Sequence, residues 1–269
     1  MTAEFRIGTQ GWNYDAWVGP FYPTGTRALD FLTVYARAFD TVEVDSTFYA
    51  TPAESTVKGW AERTPPGFIF ALKLPQEITH EQRLRDVNGA EAEFYARARQ
   101  LGDKLGPILV QLGPDFDPSE LPALVDFTAR VPADLKIAIE FRHRGWITEG
   151  VVALLRDRNV ALALVDGKWI ARKTMRAIAK QPTSDFAYIR WMGPNRDLID
   201  YSRVQADRTY EIDLWTETIT EMASKVGAIY GYVANTFSGH SPATAREIQQ
   251  RLGQVPVNPE LLGEQMSLF

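Results

Sequence analysis

Three charged residues lie in or at the ends of short apolar segments of this sequence, and their types are suited to catalysis. Glu43 and Glu140 lie in two such segments, and Lys73 ends a third. Two carboxylates in different surroundings can divide the roles of general acid and general base, or hold a divalent cation together. A lysine can act as a Schiff-base nucleophile, bind a phosphate or pair with a carboxylate. We therefore predict Glu43, Glu140 and Lys73 as the catalytic residues.

A second set of residues near the ends of these segments is predicted to bind the substrate. Arg142 and Arg190 would clamp a phosphate or a carboxylate together through forked hydrogen bonds. A purely structural alternative pairs Glu43 with Lys73, and Glu140 with one of the two arginines. The predicted binding set is Gln10, Trp12, His80, Arg142, Arg190 and Asn235.

The sequence limits the metals and cofactors that side chains of this protein can hold. It contains no cysteine, which excludes disulfides, thiol nucleophiles and cysteine-ligated metals. The three histidines, His80, His143 and His240, lack the four-residue spacing of metal ligands on one helix. A divalent metal bound mainly by carboxylates stays open, and no other cofactor is predicted.

Aromatic residues are concentrated between Gly8 and Pro23. At the mouth of a barrel, such side chains would stack on a sugar ring or a base. Alternatively, they would form a small core that caps the barrel. Gln10 and Trp12 are the residues of this segment that we expect to face the pocket.

Eight short apolar segments bounded by turn residues are predicted to be strands. Helical periodicity separates most of them, as from Leu32 to Phe39. Strict alternation of strand and helix predicts a parallel sheet, and eight such units close into a TIM-type (β/α)8 barrel. We expect one domain over residues 1–253 and a separable tail over residues 254–269. An open doubly wound sheet is less favoured because the chain has no GxGxxG motif. The predicted strands are Phe5–Gly8, Thr41–Asp45, Phe68–Lys73, Ile108–Leu112, Lys136–Phe141, Ala161–Asp166, Phe186–Trp191 and Ile229–Asn235.

Alternation within the strands predicts which side chains point into the barrel. In Lys136–Phe141 the bulky apolar residues occupy odd positions, whereas Glu140 lies at an even one. Since the outer face of the barrel packs on helices, the even positions should face the lumen. The same reasoning places Glu43, Asp45 and Lys73 inside. Charged groups should therefore gather at the carboxyl ends of the strands, where barrel enzymes build their sites.

Charge and hydropathy restrict the partners of the protein. The chain has 269 residues and a formal net charge of −5, so a broad basic face for DNA is not indicated, although a local basic cleft is compatible with it. The first residues lack a basic-then-apolar signal, and no apolar run reaches the ~18 residues of a membrane span. We expect a soluble, cytoplasmic protein without a membrane partner.

Short motifs follow one another through nearly the whole chain: Gly8–Trp12, Phe21–Pro23, Val42–Tyr49, Trp60–Pro65, Phe70–Lys73, Ile78–His80, Ala138–Arg142 and Asn235–Pro242. In this order they resemble the YecE-like family, also called domain of unknown function 72. The resemblance implies a barrel of the predicted kind and carries no settled activity. This sequence departs from the family pattern of two adjacent asparagines in the last strand, because Ala234 precedes Asn235.

The last five residues are Gln265, Met266, Ser267, Leu268 and Phe269. They resemble the pentapeptide with which bacterial repair and replication proteins bind the sliding clamp. Leu268 and Phe269 would fill an apolar pocket of the clamp, and Gln265 would set the register through hydrogen bonds. The alternative is that Met266, Leu268 and Phe269 fold back on the protein's own surface.

Three functions are compatible with these predictions. The leading one is a hydrolase or related lyase that acts on a phosphodiester or phosphate ester, with damaged or nicked DNA as one such substrate. Glu43 and Glu140 would act as base and acid or as metal ligands, and clamp binding would bring the acidic protein to DNA. A sugar-directed isomerase or glycosidase is the second function. A non-enzymatic ligand-binding or adaptor barrel is the third.

Overall fold

In the computed structural model, which describes residues 3–194 and 197–264, nine strands and ten α-helices follow one another along the chain. None of these described helices is long and apolar enough to cross a membrane. The strands are β1 (Glu4–Gln10), β2 (Thr41–Val44), β3 (Ile69–Lys73), β4 (Leu105–Gln111), β5 (Ile137–Glu140), β6 (Ala161–Leu162), β7 (Leu164–Gly167), β8 (Phe186–Gly193) and β9 (Ala228–Val233). The helices are α1 (Phe31–Ala38), α2 (Glu54–Glu62), α3 (Asn88–Ala98), α4 (Leu121–Arg130), α5 (Glu149–Asp157), α6 (Arg172–Ala179), α7 (Thr209–Met222), α8 (Asn235–Ser238), α9 (Ser241–Arg251) and α10 (Leu261–Glu264).

The sheet is parallel throughout and runs in the order β6-β5-β4-β3-β2-β1-β9-β8-β7. Its two edges meet, because β6 and β7 are halves of one extended segment interrupted at Ala163. The first half pairs with β5 and the second half pairs with β8. The predicted strand Ala161–Asp166 therefore closes the barrel at its sixth position. The predicted TIM-type (β/α)8 barrel, formed by a single domain, is confirmed.

Alternation along the strands creates two apolar layers. Outward side chains such as Ile137 and Ile139 belong to a core between the sheet and the helices. Inward side chains form a separate core in the lumen, where alanines lie among large aromatic rings. Small residues among large ones fill the inside, so the barrel is a packed core and not a pore. The lumen core includes Ala71, Leu109, Ala138, Ala163, Tyr188 and Tyr232.

The described part of the predicted tail, residues 254–264, packs on the barrel. The Gln254 side chain donates to the carbonyl of Phe5 at 3.0 Å. Further along, Leu262 is only 2% exposed, and its carbonyl accepts a hydrogen bond of 3.5 Å from Arg37 of α1. The predicted clamp motif, Gln265, Met266, Leu268 and Phe269, lies outside the described residues.

Candidate functional site

A cavity of about 560 Å³ opens at the carboxyl ends of the strands. It continues into a second cavity of about 620 Å³, because His80, Arg142, Met192 and Thr236 line both. A concave site at this end of the barrel is where enzymes of this fold bind their substrates. Of the predicted residues, Gln10, Lys73, His80, Arg142 and Arg190 line the first cavity, and Glu140 lines the second.

Arg190 joins the two predicted catalytic carboxylates at the floor of the cavity. Its Nε and Nη2 donate to the two oxygens of Glu43 at 2.8 and 2.7 Å. Its Nη1 donates to Glu140. All three side chains are at most 2% exposed. The partner of Glu43 is therefore Arg190 and not Lys73, the partner considered from the sequence.

Each carboxylate group also accepts a hydrogen bond from a second residue. Tyr188 Oη donates to Glu43 at 2.7 Å, and Arg142 Nε donates to Glu140 at 3.1 Å. Burial raises the pKa of Glu140, but Arg190 and then Arg142 outweigh burial and hold this pKa below its usual value. Glu140 is therefore ionised at neutral pH. Arg190 directs all three guanidinium nitrogens at the carboxylates. Of the two arginines predicted to bind a substrate anion, Arg142 is therefore the one with guanidinium nitrogens that have no described hydrogen-bond partner.

Lys73 stands apart from this ion-pair network. It ends β3, is 7% exposed, and places its amine 3.8 Å from the centroid of the Phe48 ring. Among the described residues, no carboxylate pairs with Lys73 and no acceptor takes a hydrogen bond from its Nζ. Burial and the charge of Arg190 lower the pKa of Lys73 to about 8, against the opposing effect of nearby carboxylates such as Asp45. About one in ten of these amines is therefore neutral at pH 7, because each pKa unit is a factor of ten.

Asp45, the residue directly after β2, lines the same cavity as Lys73. It was not among the catalytic or binding residues predicted from the sequence. Gln10 Nε2 donates to Asp45 Oδ1 at 2.9 Å. Burial and the charge of Glu43 raise the pKa of Asp45, while Arg190 and Lys73 oppose this shift. A carboxyl group with a raised pKa can exchange protons with a bound substrate near neutral pH.

His80 reaches the same cavity from a single π-helical turn, Glu77–Glu81, after β3. Thr79 Oγ1 donates to the carbonyl of Pro75 at 3.1 Å and lies 2.8 Å from His80 Nδ1. Gln111 Nε2 lies 3.2 Å from His80 Nε2 and donates to it. This chain of donors places the ring proton on Nδ1. Burial, with Lys73 and then Arg142, lowers the pKa of His80, so that the ring is neutral at pH 7.

Two predicted binding residues lie outside the two joined cavities. The Asn235 side-chain oxygen accepts hydrogen bonds from Trp17 at 3.2 Å and from the backbone and hydroxyl of Ser241 at 3.0 and 2.8 Å. Asn235 thus holds the start of α9 against the loop after β1. Trp12 lines a neighbouring groove, where it meets Trp60 edge to face with ring centroids 5.9 Å apart.

The aromatic segment after β1 is mainly a small core. Trp17, Phe21 and Tyr22 are at most 1% exposed, and Tyr22 stacks on Phe31 of α1 with ring centroids 4.5 Å apart. This matches the alternative in which these rings cap the barrel. Trp12 keeps part of its surface available to a ligand.

The histidines do not converge on a metal site. His143 Nδ1 accepts from the backbone of Gly145 at 3.1 Å, and His240 Nδ1 lies 2.7 Å from the carbonyl oxygen of Tyr201. Within residues 3–194 and 197–264, no group of three or more histidine, aspartate or glutamate side chains is arranged to hold a metal ion.

Two further residues of the second cavity were missed in the sequence. Lys168 and Trp169 follow β7, and Lys168 Nζ lies 4.5 Å from the Trp169 ring centroid. Arg142 Cζ lies 5.9 Å from the same centroid. Their position just after a predicted strand was the available signal, because loops at the carboxyl ends of barrel strands form the mouth.

Comparison with known sequences gives one family. The sequence model of the family described as "Protein of unknown function DUF72" matches residues 6–265. UPF0759 protein YecE of Escherichia coli strain K12 is 33% identical over 144 residues, which cover 54% of this chain and 50% of YecE. UPF0759 protein YunF of Bacillus subtilis strain 168 is 26% identical over 202 residues, which cover 71% of this chain and 70% of YunF. The chain thus matches half the length of the Escherichia coli relative.

Solved structures of the same family share the fold. A DUF72 family protein of Thermotoga maritima aligns with a TM-score of 0.74 at 23% identity, over 93% of this chain and 100% of that chain. A DUF72 family protein of Enterococcus faecalis aligns with a TM-score of 0.73 at 20% identity, over 93% of this chain and 98% of that chain.

Proposed function

The chain belongs to the DUF72 family of proteins of unknown function, and we propose that it is a lyase that acts on an anionic aldehyde or ketone through a Schiff base at Lys73. The isolation of the Lys73 amine is the observation that supports this proposal. The amine lies on the ring of Phe48 in a concave site and has no ion-pair partner among the described residues. A lysine attacks a carbonyl only in its neutral form, which burial and positive neighbours favour.

The contacts of Arg142 support the proposal that the substrate is an anion. Its Nε is held by Glu140, while Nη1 and Nη2 make no hydrogen bond to any side chain or backbone group in the described part of the chain. Arg142 lines both cavities. A guanidinium fixed at one edge and open at the other suits a phosphate or carboxylate, which accepts two parallel hydrogen bonds.

The reaction would begin with addition of the Lys73 nitrogen to the carbonyl carbon. Asp45 would protonate the carbinolamine oxygen, and loss of one water would leave an iminium ion. Asp45, now ionised, would next take a proton from the substrate. If that proton comes from a hydroxyl group on the departing fragment, the electron pair of the carbon–carbon bond moves to the iminium, the fragment leaves as an aldehyde, and Asp45 returns the proton to the carbon of the resulting enamine to give an iminium again. If it comes from the carbon next to the iminium, the resulting enamine expels phosphate from the adjoining carbon, and an unsaturated imine remains. One water would then hydrolyse the remaining imine and release Lys73. Glu43 and Glu140 would hold Arg190 and Arg142 in place and would not act as base and acid.

Reductive trapping tests this function. We expect cyanoborohydride to fix glyceraldehyde 3-phosphate, or an oligonucleotide with an abasic site, on the protein as one adduct, which peptide mass spectrometry maps to Lys73. Lys73→Arg should lose at least ~99% of this adduct, because its guanidinium does not form an imine under these conditions. Lys168→Arg is the matched control, because it changes another lysine at the mouth and should keep the adduct.

Three outcomes would contradict the proposal. They are the absence of an adduct, an adduct spread evenly over many lysines, or an adduct that survives Lys73→Arg. Equal trapping of glyceraldehyde with and without its phosphate would instead favour a neutral sugar substrate and remove the proposed role of Arg142.

We also propose that the last five residues bind a bacterial sliding clamp. The support is the match of Gln265, Met266, Leu268 and Phe269 to the clamp-binding pentapeptide, together with their place a few residues beyond Leu262, which packs on the barrel. A short peptide that fills an apolar pocket can bind while the barrel stays folded. Such binding would direct the lyase to carbonyl groups in DNA, for which the net charge of −5 provides no general attraction.

Binding of the full chain to its host's clamp tests this partner. We expect measurable affinity that is lost in a variant without residues 265–269 and in the double variant Leu268→Ala, Phe269→Ala. Ser267→Ala should bind as the unchanged protein does, because a small residue suffices at that position. A full chain that does not bind, or binding that persists without the five residues, would remove the clamp from the proposed function.

A further inference from the structure

An apolar groove adjoins the reaction cavity. It has a volume of about 510 Å³, and its walls include Trp12, Leu29, Val44 and Trp60. Asp45 lines both the groove and the cavity that contains Lys73. A molecule bound at the cavity can therefore extend past Asp45 into the groove without leaving the protein surface.

The walls of the groove are held in place by backbone contacts. The carbonyl of Trp12 accepts a hydrogen bond from Tyr22, which is buried. On the opposite side, Arg63 Nη1 donates to the carbonyl of Leu29 at 3.2 Å and Arg63 Nε donates to that of Gly59 at 2.9 Å. The groove is therefore formed before any ligand arrives, as in most small-molecule sites.

Part of the apolar surface of the groove is exposed to solvent and is not packed against the core. Leu29 is 74% exposed, and Trp12 is partly exposed and meets Trp60 edge to face. Trp60 itself is 5% exposed and stacks on Phe70 of β3. Trp60 thus has a structural task, whereas the free surfaces of Trp12 and Leu29 form a patch beside the site. Exposed apolar patches beside a cavity commonly bind ligands.

The charge of the groove indicates the kind of group that it would hold. Among the described residues that line it, Asp45 and Arg63 are charged, and Arg63 is engaged by the two backbone carbonyls. The groove therefore offers flat apolar surface, and each two-nitrogen edge of the Arg63 guanidinium already has one nitrogen bound to a backbone carbonyl. An aromatic side chain such as Trp12 stacks well on a planar ring.

We propose that this groove binds a planar aromatic ring of the substrate, linked to an anionic group that lies at Arg142. The inference rests on the proposed function for the position of the reacting carbonyl at Lys73, and it narrows the substrate to an anion that also carries a ring. Simple sugar phosphates would leave the groove empty.

Calorimetry with unreactive probes tests the groove separately from the lyase chemistry. The probes are phenyl, benzyl, 2-phenylethyl and 3-phenylpropyl phosphate, compared with butyl phosphate and inorganic phosphate. We expect one linker length to bind at least about tenfold more tightly than butyl phosphate, as stacking of a ring predicts. Leu29→Asn should remove most of this gain and leave the affinity for inorganic phosphate unchanged.

Controls separate the ring site from general effects. Leu29 is largely exposed, so Leu29→Asn should fold normally, and Leu121→Asn makes the same change at the start of α4, where Leu121 is 42% exposed. Trp12→Phe should keep part of the gain. The proposal is overturned if no phenyl compound binds more tightly than butyl phosphate, or if Leu29→Asn and Trp12→Phe both keep the full gain. Since these probes have no carbonyl group, a failure here leaves the lyase proposal standing, and a failure of trapping at Lys73 leaves this result unaffected.

Discussion

Replacing Arg190 by methionine should lower the free energy of unfolding by about 3–5 kcal/mol at pH 7, the usual cost of breaking a buried ion pair by removing one partner. Glu43 and Glu140 would then share the floor of the cavity without the guanidinium that joins them. Two buried carboxylates would have to ionise close to each other or take up protons. Urea unfolding followed by circular dichroism measures this loss.

The pH dependence of this loss follows from Glu140. In the unchanged protein, arginine contacts hold the folded pKa of Glu140 below its ordinary value of 4.5, so its contribution to stability is present above pH 4.5 and is lost as the pH falls through the folded pKa. Without Arg190, burial raises the folded pKa, and stability is lost as the pH rises above 4.5. The difference between the two proteins should therefore shrink as the pH falls from 7 towards 4.

A triple variant is the control for the Arg190 prediction. With Glu43→Gln and Glu140→Gln added to Arg190→Met, no ionised carboxylate is left without a partner at this position, and most of the lost stability should return. A free energy of unfolding of Arg190→Met within about 1 kcal/mol of that of the unchanged protein would contradict the ion-pair explanation, since so small a change is typical of exposed ion pairs.

Adduct formation at Lys73 should be half-maximal near pH 8 and level off above it. With a pKa of about 8, roughly half of the amines are neutral at pH 8, against about one in 300 for a lysine at 10.5, because each pKa unit is a factor of ten. Trapping should increase about ninety-fold between pH 6 and pH 9 on the same arithmetic. The measurement is the initial rate of the Lys73 adduct in peptide mass spectra, taken across this range.

Other lysines in the same digest provide the internal control, since exposed amines should continue to gain reactivity up to pH 10. A Lys73 rate that also keeps rising through pH 10 would show an ordinary amine and would contradict the proposed lowering of its pKa.

The variant Lys73→Met separates the chemistry of Lys73 from its effect on folding. Because burial opposes the charged amine and no carboxylate in the described part of the chain pairs with it, this variant should lose trapping without losing stability.

Much of the candidate site could be predicted from local sequence patterns. The period of two in each strand and the period of 3.6 in each helix are set by backbone geometry, so they can be recognised in short windows. These periods led to the parallel barrel. They also placed Glu43, Lys73 and Glu140 at its lumen face, near the carboxyl ends of the strands. The alternation of side chains along the second strand also predicted that Asp45 points into the barrel, but nothing in that segment distinguished Asp45 from Glu43 as a site residue.

The partners of these residues were decided by the tertiary structure. Arg190 contacts Glu43 across 147 positions and Glu140 across 50, and the choice of Arg190 over Lys73 depends on how far each strand is staggered against its neighbours. The stagger of the strands and the course of the loops likewise place the Asn235 side chain against the start of α9 and Trp12 in the neighbouring groove. Strand period is a local property of the chain, whereas side-chain pairing inside a closed barrel depends on the relative positions of strands far apart in sequence. For that reason the sequence alone determined the barrel and the charged mouth, whereas the folded chain determined that Lys73 has no carboxylate partner among the described residues.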